Sequence, residues 1–316
     1  RSSSKNITRL LNFRQNLALP VVVAPMFLVS GPALVKASCR AGLIGAFPFP
    51  NARTIATLDP WLDDIGAAVR DESFTVPFAV NLTTHRSYDR LADEIALIAS
   101  HKPSIVITAL GSPAPVIDVV HRYGGIVIAD VNSVQYARKA AAKGVDGLAL
   151  VAAGAGGHTG DMAGIPFLTE VRTFFNGLVI LAGGIGNGAA IRATEVAGAD
   201  LCYIGTRFIT AEESLASDEY KQMVVAASFE DLVLSDALTG AKAYYLRQSL
   251  ERMGYDPDNL ESGTEFNLAN SQERIRVWRD VWSAGHGVGN VTDIAPMADI
   301  VDRLIGEYNL ASSDDQ

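Results

Sequence analysis

The chain has 316 residues, 48% of them hydrophobic, and a formal net charge of −9. That length suffices for a large core in one barrel-sized domain with an insertion, and the acidic balance excludes a general attraction to nucleic acid or to an anionic membrane. The two cysteines, Cys39 and Cys202, make no disulfide framework. No apolar run reaches the length of a membrane span and no signal peptide is visible, so we expect a reducing, cytoplasmic setting.

Eight short apolar runs, each followed by a helical pattern except the last, fill the first 210 residues. The runs are uniformly apolar rather than alternating, which is typical of parallel strands buried on both faces. Eight such units are the number that closes a (β/α)8 barrel, and an open doubly wound sheet, which usually needs five or six, ranks second. The predicted strands are 19–24, 43–47, 76–81, 104–108, 125–130, 146–151, 178–182 and 200–204. The predicted helices are 30–41 with Ser30 as N-cap, 60–70, 88–99, 114–122, 133–143, 166–174 and 188–197.

The pattern changes after residue 210. Residues 211–292 show helical patterns with no clear strand, and we predict a helical insertion that caps the substrate pocket. Its predicted helices are 221–227, 241–253 and 272–284, the last with Trp278 and Trp282 on one face, and its predicted loop is 257–270. The barrel would therefore consist of residues 1–210 plus 293–311, including an amphipathic helix at 296–308, and the tail 312–316 would be disordered.

Glycine-rich turns follow the last two predicted strands. Gly183-Gly184 follows the seventh strand and Gly205-Thr206 the eighth, and each leads toward a helix N-terminus. In a (β/α)8 barrel this pair of turns, at the C-terminal ends of the strands, is the usual phosphate site. Backbone N–H groups and the Thr206 hydroxyl could bind a dianion there. The alternative is that these glycines only make tight turns.

A single histidine lies in the glycine-rich loop after the sixth strand, in the run Gly154-Ala155-Gly156-Gly157-His158. Loops of this kind bring backbone N–H groups close to a ligand, and imidazole is suited to proton transfer near pH 7. His158 is therefore the candidate catalytic residue, against the alternative of a flexible turn with a surface histidine. His85, in the loop after Asn81, is the second choice.

The five histidines predict no metal site, because they do not pair at ligand spacing and no HExxH motif occurs. His101 and His121 fall on predicted helices and are expected to be solvated. His286 lies in a glycine-rich segment, 285–289, where a role in loop structure is expected.

Several motifs occur together in a fixed order along the chain. They are Val23-Ala24-Pro25-Met26, Ala155-Gly156-Gly157-His158-Thr159-Gly160, Leu181-Ala182-Gly183-Gly184-Ile185 and Tyr203-Ile204-Gly205-Thr206-Arg207-Phe208. This set resembles the nitronate monooxygenase family, formerly called 2-nitropropane dioxygenases. The resemblance continues through 236–240 and 246–249 and so covers nearly the whole chain. It is less specific for substrate, because flavin-dependent enoyl reductases share the AGGHxG motif and the phosphate turns.

The resemblance implies FMN bound non-covalently at the C-terminal ends of the strands, with His158 as the catalytic base. By motif match, the phosphate would be held by Gly183, Gly184, Gly205 and Thr206. The isoalloxazine ring would be lined by Ala24, Pro25 and Met26 and contacted by Asn81 and the backbone of Gly156 and Gly157. Two departures affect the expected substrate. Asp130, also near the flavin, stands where relatives often carry Lys or Gln, and the aromatic loop 47–51 would narrow the pocket.

The activity implied by the resemblance is FMN-dependent oxidation of alkyl nitronates or nitroalkanes by oxygen, giving a carbonyl compound and nitrite. The rival is an NAD(P)H-dependent reductase of quinones or enoyl thioesters, although no separate nicotinamide fingerprint is visible. A third reading is a flavin-binding protein without turnover of its own. The expected partners are a small-molecule substrate and oxygen, with no nucleic acid and no membrane, and a homodimer is a possible assembly.

Overall fold

The computed structural model describes residues 14–72, 74–260 and 277–313, and its centre is a closed barrel of eight parallel strands. The strand order is β1-β9-β8-β6-β5-β4-β3-β2. Val22 pairs with Ile44 just before β2, and this bridge joins the two ends of the sheet. The predicted (β/α)8 barrel is confirmed. Its strands are β1 (Val21–Val23), β2 (Ala46–Pro48), β3 (Ala79–Thr83), β4 (Ile105–Ala109), β5 (Ile126–Val131), β6 (Gly147–Val151), β8 (Leu178–Ala182) and β9 (Leu201–Ile204); β7 (Gly157–His158) belongs to a second sheet.

Seven helices alternate with these strands: α1 (Pro32–Arg40), α2 (Ile55–Asp71), α3 (Leu91–His101), α4 (Ala114–Arg122), α5 (Val134–Ala142), α6 (Gly164–Arg172) and α7 (Gly188–Val196). Three of these predicted helix starts are wrong, and one of them is that of α3, which begins at Leu91 and not at residue 88. Gly31, not Ser30, is the N-cap of α1. The helix α2 begins five residues before the predicted Pro60 because the Thr54 side chain caps it, accepting the Thr57 N–H at 3.1 Å.

The barrel has an inner and an outer apolar core. On β4 the side chains of Ile105 and Ile107 belong to the inner cluster, whereas Val106 packs outward with the helices. Both faces of each strand are buried, which is why the strand sequences are apolar throughout. No helix among the described residues is long and apolar enough to cross a membrane.

The last helix, α11 (Met297–Ser312), packs against α7 and α1. A helix following β9 would occupy this position in an eight-unit barrel, and Met297, Ile300 and Leu304 are buried against the outer face of β1 and β9. Of the predicted disordered tail, Ser312 is the last residue of α11, and 314–316 lie outside the described residues.

The segment after β9 contains strands, which the sequence patterns did not predict. It holds α8 (Thr206–Ile209), α9 (Asp218–Ala226), β10 (Leu232–Ser235), β11 (Ala243–Leu246) and α10 (Arg247–Arg252). The predicted helix 241–253 is wrong over 243–246, because this piece pairs antiparallel with β10 on one side and with β7 on the other. A three-stranded sheet therefore joins this segment to the loop after β6.

The two tryptophans do not share a helix face as predicted. The helical turn at 277–280 ends before Trp282. Trp282 stacks on Tyr220 with a centroid separation of 5.0 Å, whereas Trp278 packs on Tyr245 at 5.5 Å. Residues 261–276, which hold most of the predicted loop 257–270 and the start of the predicted helix 272–284, lie outside the described residues.

Candidate active site

The glycine turns after β6 and β8 lie against each other at the C-terminal end of the barrel. Gly183 has φ +128°, and a Cβ atom added to it would lie 2.8 Å from the Ala153 carbonyl oxygen. Gly184 follows with φ +69°. Side-chain-bearing residues rarely adopt these conformations, so the turn requires glycine at both positions.

The turn after β9 completes a cradle of backbone N–H groups. A Cβ atom on Gly205 would lie 3.4 Å from Met26 Sδ and 3.5 Å from Ala24 Cβ, so the turn faces the loop after β1. Within the described ranges, the N–H groups of Gly184, Gly205 and Thr206 donate to no protein acceptor. Unpaired N–H groups that converge in this way fit an anion such as a phosphate.

Thr206 also takes part in this cradle. Its Oγ1 accepts the Gly285 N–H at 2.9 Å, so its own hydroxyl proton stays available to a further acceptor. The N-terminus of α7, in contrast, is already satisfied: Asn187 caps Ala190 N–H, and Glu307 Oε2 accepts the Gly188 N–H at 2.8 Å. A phosphate would therefore meet the two turns and α8, and not the longer helix α7.

His158 is held by residues of the segment after β9. Its Nε2 lies 3.2 Å from the Oγ1 of Thr239, which is 2% exposed. The Thr239 hydroxyl also lies 3.2 Å from the Ala241 carbonyl oxygen, and when it donates there its oxygen accepts from Nε2. The neutral imidazole then carries its proton on Nε2 and its basic lone pair on Nδ1. The Trp278 ring meets the imidazole edge-on, with centroids 5.3 Å apart.

The loop that carries His158 is a paired strand rather than a flexible turn. Its residues Gly157 and His158 pair with β11, and the Gly157 N–H donates to Ser283 Oγ at 2.7 Å. Ser283 in turn donates to the Tyr244 carbonyl oxygen. Gly156 lies close to Gly285, because a Cβ on Gly156 would be 2.8 Å from the Gly285 amide nitrogen. Hydrogen bonds from a distant part of the chain therefore fix the position of the imidazole.

Asp130 lies inside the barrel, where it accepts a hydrogen bond from the Tyr203 hydroxyl on β9 at 3.0 Å. Burial raises the pKa of the Asp130 carboxyl to about 7, and the hydrogen bond from Tyr203 opposes this rise. On β3 the side chain of Ala79 faces inward, and Asn81 lies two residues further along the strand and so on the same face. Asn81 and Asp130, the two residues predicted to contact the flavin from these strands, therefore both point into the barrel mouth.

The loop after β1 is clamped by Asn51. Its side chain accepts the Leu28 N–H at 2.8 Å and donates to the carbonyl oxygens of Met26 and Ser30 at 2.9 and 2.7 Å. Ala24, Pro25 and Met26 are half-buried. Sequence reasoning missed Asn51, because a single asparagine after a strand carries no distinctive pattern.

The aromatic residues of loop 47–51 do not narrow the pocket as expected. Phe47 and Phe49 are both fully buried in the outer core, and Phe47 packs on Trp61 with ring centroids 6.0 Å apart. They stabilise the contact between β2 and α2.

Of the other histidines, two were expected to be solvated and are instead paired with carboxylates. His101 Nε2 lies 2.6 Å from Asp59, and His121 Nε2 lies 2.7 Å from Asp146. His85 bonds to Ser87 in its own loop at 2.7 Å. The described part of the chain shows no group of side chains that could hold a metal ion.

A parallel eight-stranded barrel with glycine turns and a positioned histidine at the C-terminal ends of its strands defines a (β/α)8 protein with a candidate anion site beside that histidine. The chain belongs to the nitronate monooxygenase family, whose sequence model matches residues 83–307. These residues include β4 to β11, the glycine turns after β6, β8 and β9, and His158.

Two relatives and one solved structure show what the chain is similar to. The chain is 28% identical over 250 residues to the (3aS,4S,5R,7aS)-5-hydroxy-7a-methyl-1-oxo-octahydro-1H-indene-4-carboxyl-CoA dehydrogenase of Mycobacterium tuberculosis, covering 78% of this chain and 66% of that relative. It is 28% identical over 288 residues to the nitronate monooxygenase of Paraburkholderia phytofirmans, covering 78% of each chain. The fold matches that of nitroalkane oxidase from Streptomyces ansochromogenes with a TM-score of 0.77 and 23% identity, covering 94% of this chain and 97% of the other.

Proposed function

We propose that this protein is an FMN-dependent oxidoreductase that converts alkyl nitronates or nitroalkanes and oxygen into a carbonyl compound and nitrite. The observation that carries the proposal is the position of His158. The insertion contacts the glycine cradle through the hydrogen bond from Gly285 N–H to Thr206, and it also holds the imidazole of His158 through Thr239. Family membership and the Paraburkholderia relative support the nitronate substrate.

The cradle fits the phosphate of FMN. Gly183 and Gly184 leave the turn without side chains, and the N–H groups of Gly184, Gly205 and Thr206 are unpaired in the described part of the chain. In this proposal Ala24, Pro25 and Met26 line the isoalloxazine, and Asn81, Asp130 and the Gly156-Gly157 backbone contact the flavin. When bound, FMN supplies the electron transfer between the substrate and oxygen.

His158 provides the acid–base chemistry. With its proton on Nε2 directed to Thr239, the ring presents Nδ1 as the base for a proton on the carbon that bears the nitro group. The electron pair of that C–H bond moves onto the nitro group and leaves a nitronate, and the ring becomes an imidazolium. Thr239, which keeps accepting from Nε2–H, stabilises the charged ring, and Trp278 shields one edge of it from water.

The first test is the effect of His158→Ala on two substrates. We expect kcat/KM to fall roughly 10²–10⁴-fold on a neutral nitroalkane, the usual range for a lost acid–base group. The loss should be much smaller on a preformed nitronate, and FMN content should hardly change. Thr239→Val should reproduce part of the loss on the neutral substrate, with Thr239→Ser as the matched control. Equal losses on both substrates would contradict the role of His158 as a base.

A second candidate function is an NAD(P)H-dependent flavin reductase of quinones or enoyl thioesters. The name of the mycobacterial relative, a dehydrogenase of a CoA thioester, favours this class. Anaerobic mixing separates the candidates: bleaching of the flavin by ethylnitronate supports the first, and bleaching by NADH or NADPH supports the second. A protein that keeps its flavin oxidised in every mixture would be a binding protein without turnover.

We also propose that residues 211–292 cap the substrate pocket of a barrel made of 1–210 and 293–311. Thr239, Ser283 and Trp278 all come from this segment and all surround His158 or its loop. The two cysteines are free and buried, which is compatible with a cytoplasmic setting. Light scattering of the purified protein tests the possible homodimer.

A further inference from the structure

Arg90 connects the start of α3 to the loop after β2. It is the residue just before α3, and its Nη1 donates to the Ala52 carbonyl oxygen at 2.9 Å. Ala52 is fully buried, and a buried carbonyl needs such a partner. The guanidinium is therefore the group through which the loop after β3 holds the loop after β2.

Glu94 fixes the guanidinium from the other side. Its Oε1 lies 3.2 Å from Arg90 Nη2, one turn along α3, and the Tyr88 hydroxyl donates to the same oxygen at 2.7 Å. Glu94 is fully buried. Burial raises the pKa of its carboxyl to about 7, although the hydrogen bond from Tyr88 and the charge of Arg90 lower it. The stretch 88–94 thus sets the position of the guanidinium by itself.

Arginine is unfavourable at this position by local criteria. Arg90 is the N-cap of α3, yet its side chain makes no capping hydrogen bond, and Ser, Thr, Asp or Asn is preferred at an N-cap. A positive charge near a helix N-terminus is electrostatically unfavourable. In the described ranges the buried Nε of Arg90 has no acceptor, which adds a further cost. The helix gains little from Arg90, and the bond to Ala52 is the contact that accounts for it.

The loop after β2 in turn supports the loop after β1. Asn51, next to Ala52, accepts the Leu28 N–H at 2.8 Å and donates to the Met26 carbonyl oxygen at 2.9 Å. Leu28 has φ +59°, a conformation that needs support from its surroundings in a residue other than glycine. Met26 lies beside the turn after β9, since a Cβ on Gly205 would be 3.4 Å from its Sδ. Two hydrogen-bonded steps therefore join α3 to the loop that carries Met26.

We propose that Arg90 is a positioning residue that acts through Ala52 and Asn51 and sets the loop after β1 against the isoalloxazine ring. This inference rests on the proposed function. Within the described residues no hydrogen bond links Arg90 to the glycine turns of the cradle, so its loss should affect the side of the site that holds the ring and not the side that holds the phosphate. Riboflavin has the ring without the phosphate, and it should lose as much affinity as FMN.

The experiment measures the Kd of the apoprotein for FMN and for riboflavin by quenching of flavin fluorescence, at about pH 8, where the Glu94 carboxyl is ionised. Arg90→Ala should raise both Kd values by the same factor, roughly 10-fold, the scale of one hydrogen bond from a charged group. The visible circular dichroism of bound FMN should also change, because it reports how the protein holds the ring. Guanidinium at a non-denaturing concentration should restore both properties, whereas sodium chloride at equal ionic strength should not.

A double-mutant cycle tests the route from Arg90 to the loop. Because Arg90 acts through Asn51, Arg90→Ala should raise the riboflavin Kd of an Asn51→Ala protein much less than that of the wild type. Two independent contributions to the fold would instead multiply. The matched control is Arg53→Ala, which removes the same charge from an exposed residue of the same loop, and it should bind both flavins as the wild type does.

Three results would overturn the inference: wild-type Kd values with unchanged dichroism in Arg90→Ala, a loss confined to FMN, or losses that multiply in the cycle. A wild type that binds neither flavin would instead overturn the proposed function. Should the double variant fail to fold, the comparison of riboflavin with FMN in Arg90→Ala and its rescue by guanidinium still decide.

Discussion

Replacing Asp130 by asparagine should change the pH dependence of stability. The Asp130 carboxyl has an ordinary pKa of 3.8, and burial inside the barrel raises it to about 7. Between these two values the folded chain holds a proton that the unfolded chain has released. The free energy of unfolding therefore falls as pH rises through this window. The variant cannot ionise, and its amide oxygen can still accept the hydrogen bond from Tyr203.

The size of the effect follows from the two pKa values. At about pH 5 only the unfolded wild type is ionised, which disfavours its folded state by about 2 kcal/mol relative to a group that cannot ionise. At about pH 8 the difference has grown to about 4 kcal/mol, after which it levels off because the folded carboxyl also ionises. Asp130→Asn should therefore gain about 2–3 kcal/mol of stability relative to the wild type between these two pH values.

Urea unfolding of the two apoproteins, followed by tryptophan fluorescence at about pH 5, 6, 7, 8 and 9, measures this gain. Asp302→Asn is the matched control, since Asp302 is an exposed carboxylate on α11, and its difference from the wild type should stay level with pH. A constant difference between Asp130→Asn and the wild type would refute the reasoning. It would mean that the folded carboxyl ionises as easily as the unfolded one.

Three further changes test the supports of the site. Asn51→Ala removes three hydrogen bonds to the loop after β1 and should cost about 3 kcal/mol in urea unfolding; a second change, Leu28→Gly, should recover about 1 kcal/mol, because Leu28 has φ +59°. Asp146→Ala leaves the Val127 N–H, now 2.9 Å from Asp146, without its acceptor. It should cost about 1–3 kcal/mol with flavin binding intact, since it acts at the opposite end of the barrel. Gly183→Ala should lower the flavin-to-protein absorbance ratio while circular dichroism stays native; full flavin retention would contradict the cradle.

The sequence predicts the barrel well because its strands are buried on both faces. Runs such as 178–182 are apolar at every position and are followed by glycine. Such a run can be recognised as a strand without knowing which strand it pairs with. The glycine turns of the proposed cradle follow from the same reading, because parallel strands bring all their C-terminal ends to one side. The motif residues Gly183, Gly184, Gly205 and Thr206 are brought together in this way, and their role in binding phosphate remains a prediction.

The strands of the insertion could not be predicted from local pattern. The piece 243–246 joins β10 and β7 by pairing with residues far away in the chain, and the helical signal of 247–252 next to it extended the predicted helix across it. The same holds for the support of His158. Thr239 was visible only as part of a family motif, and its bond to Nε2 depends on a contact across 81 residues of sequence.

The shared sheet has a consequence for engineering. Because His158 belongs to a strand whose partner is Tyr244 and Ala243 on β11, the segment after β9 is not an independent module that can be exchanged to alter substrate preference. A transplant of this segment from a homologue would bring its own version of β11 and re-aim the imidazole, even with the barrel untouched. A chimera should retain proton transfer only if residues 154–160 are transferred together with this segment.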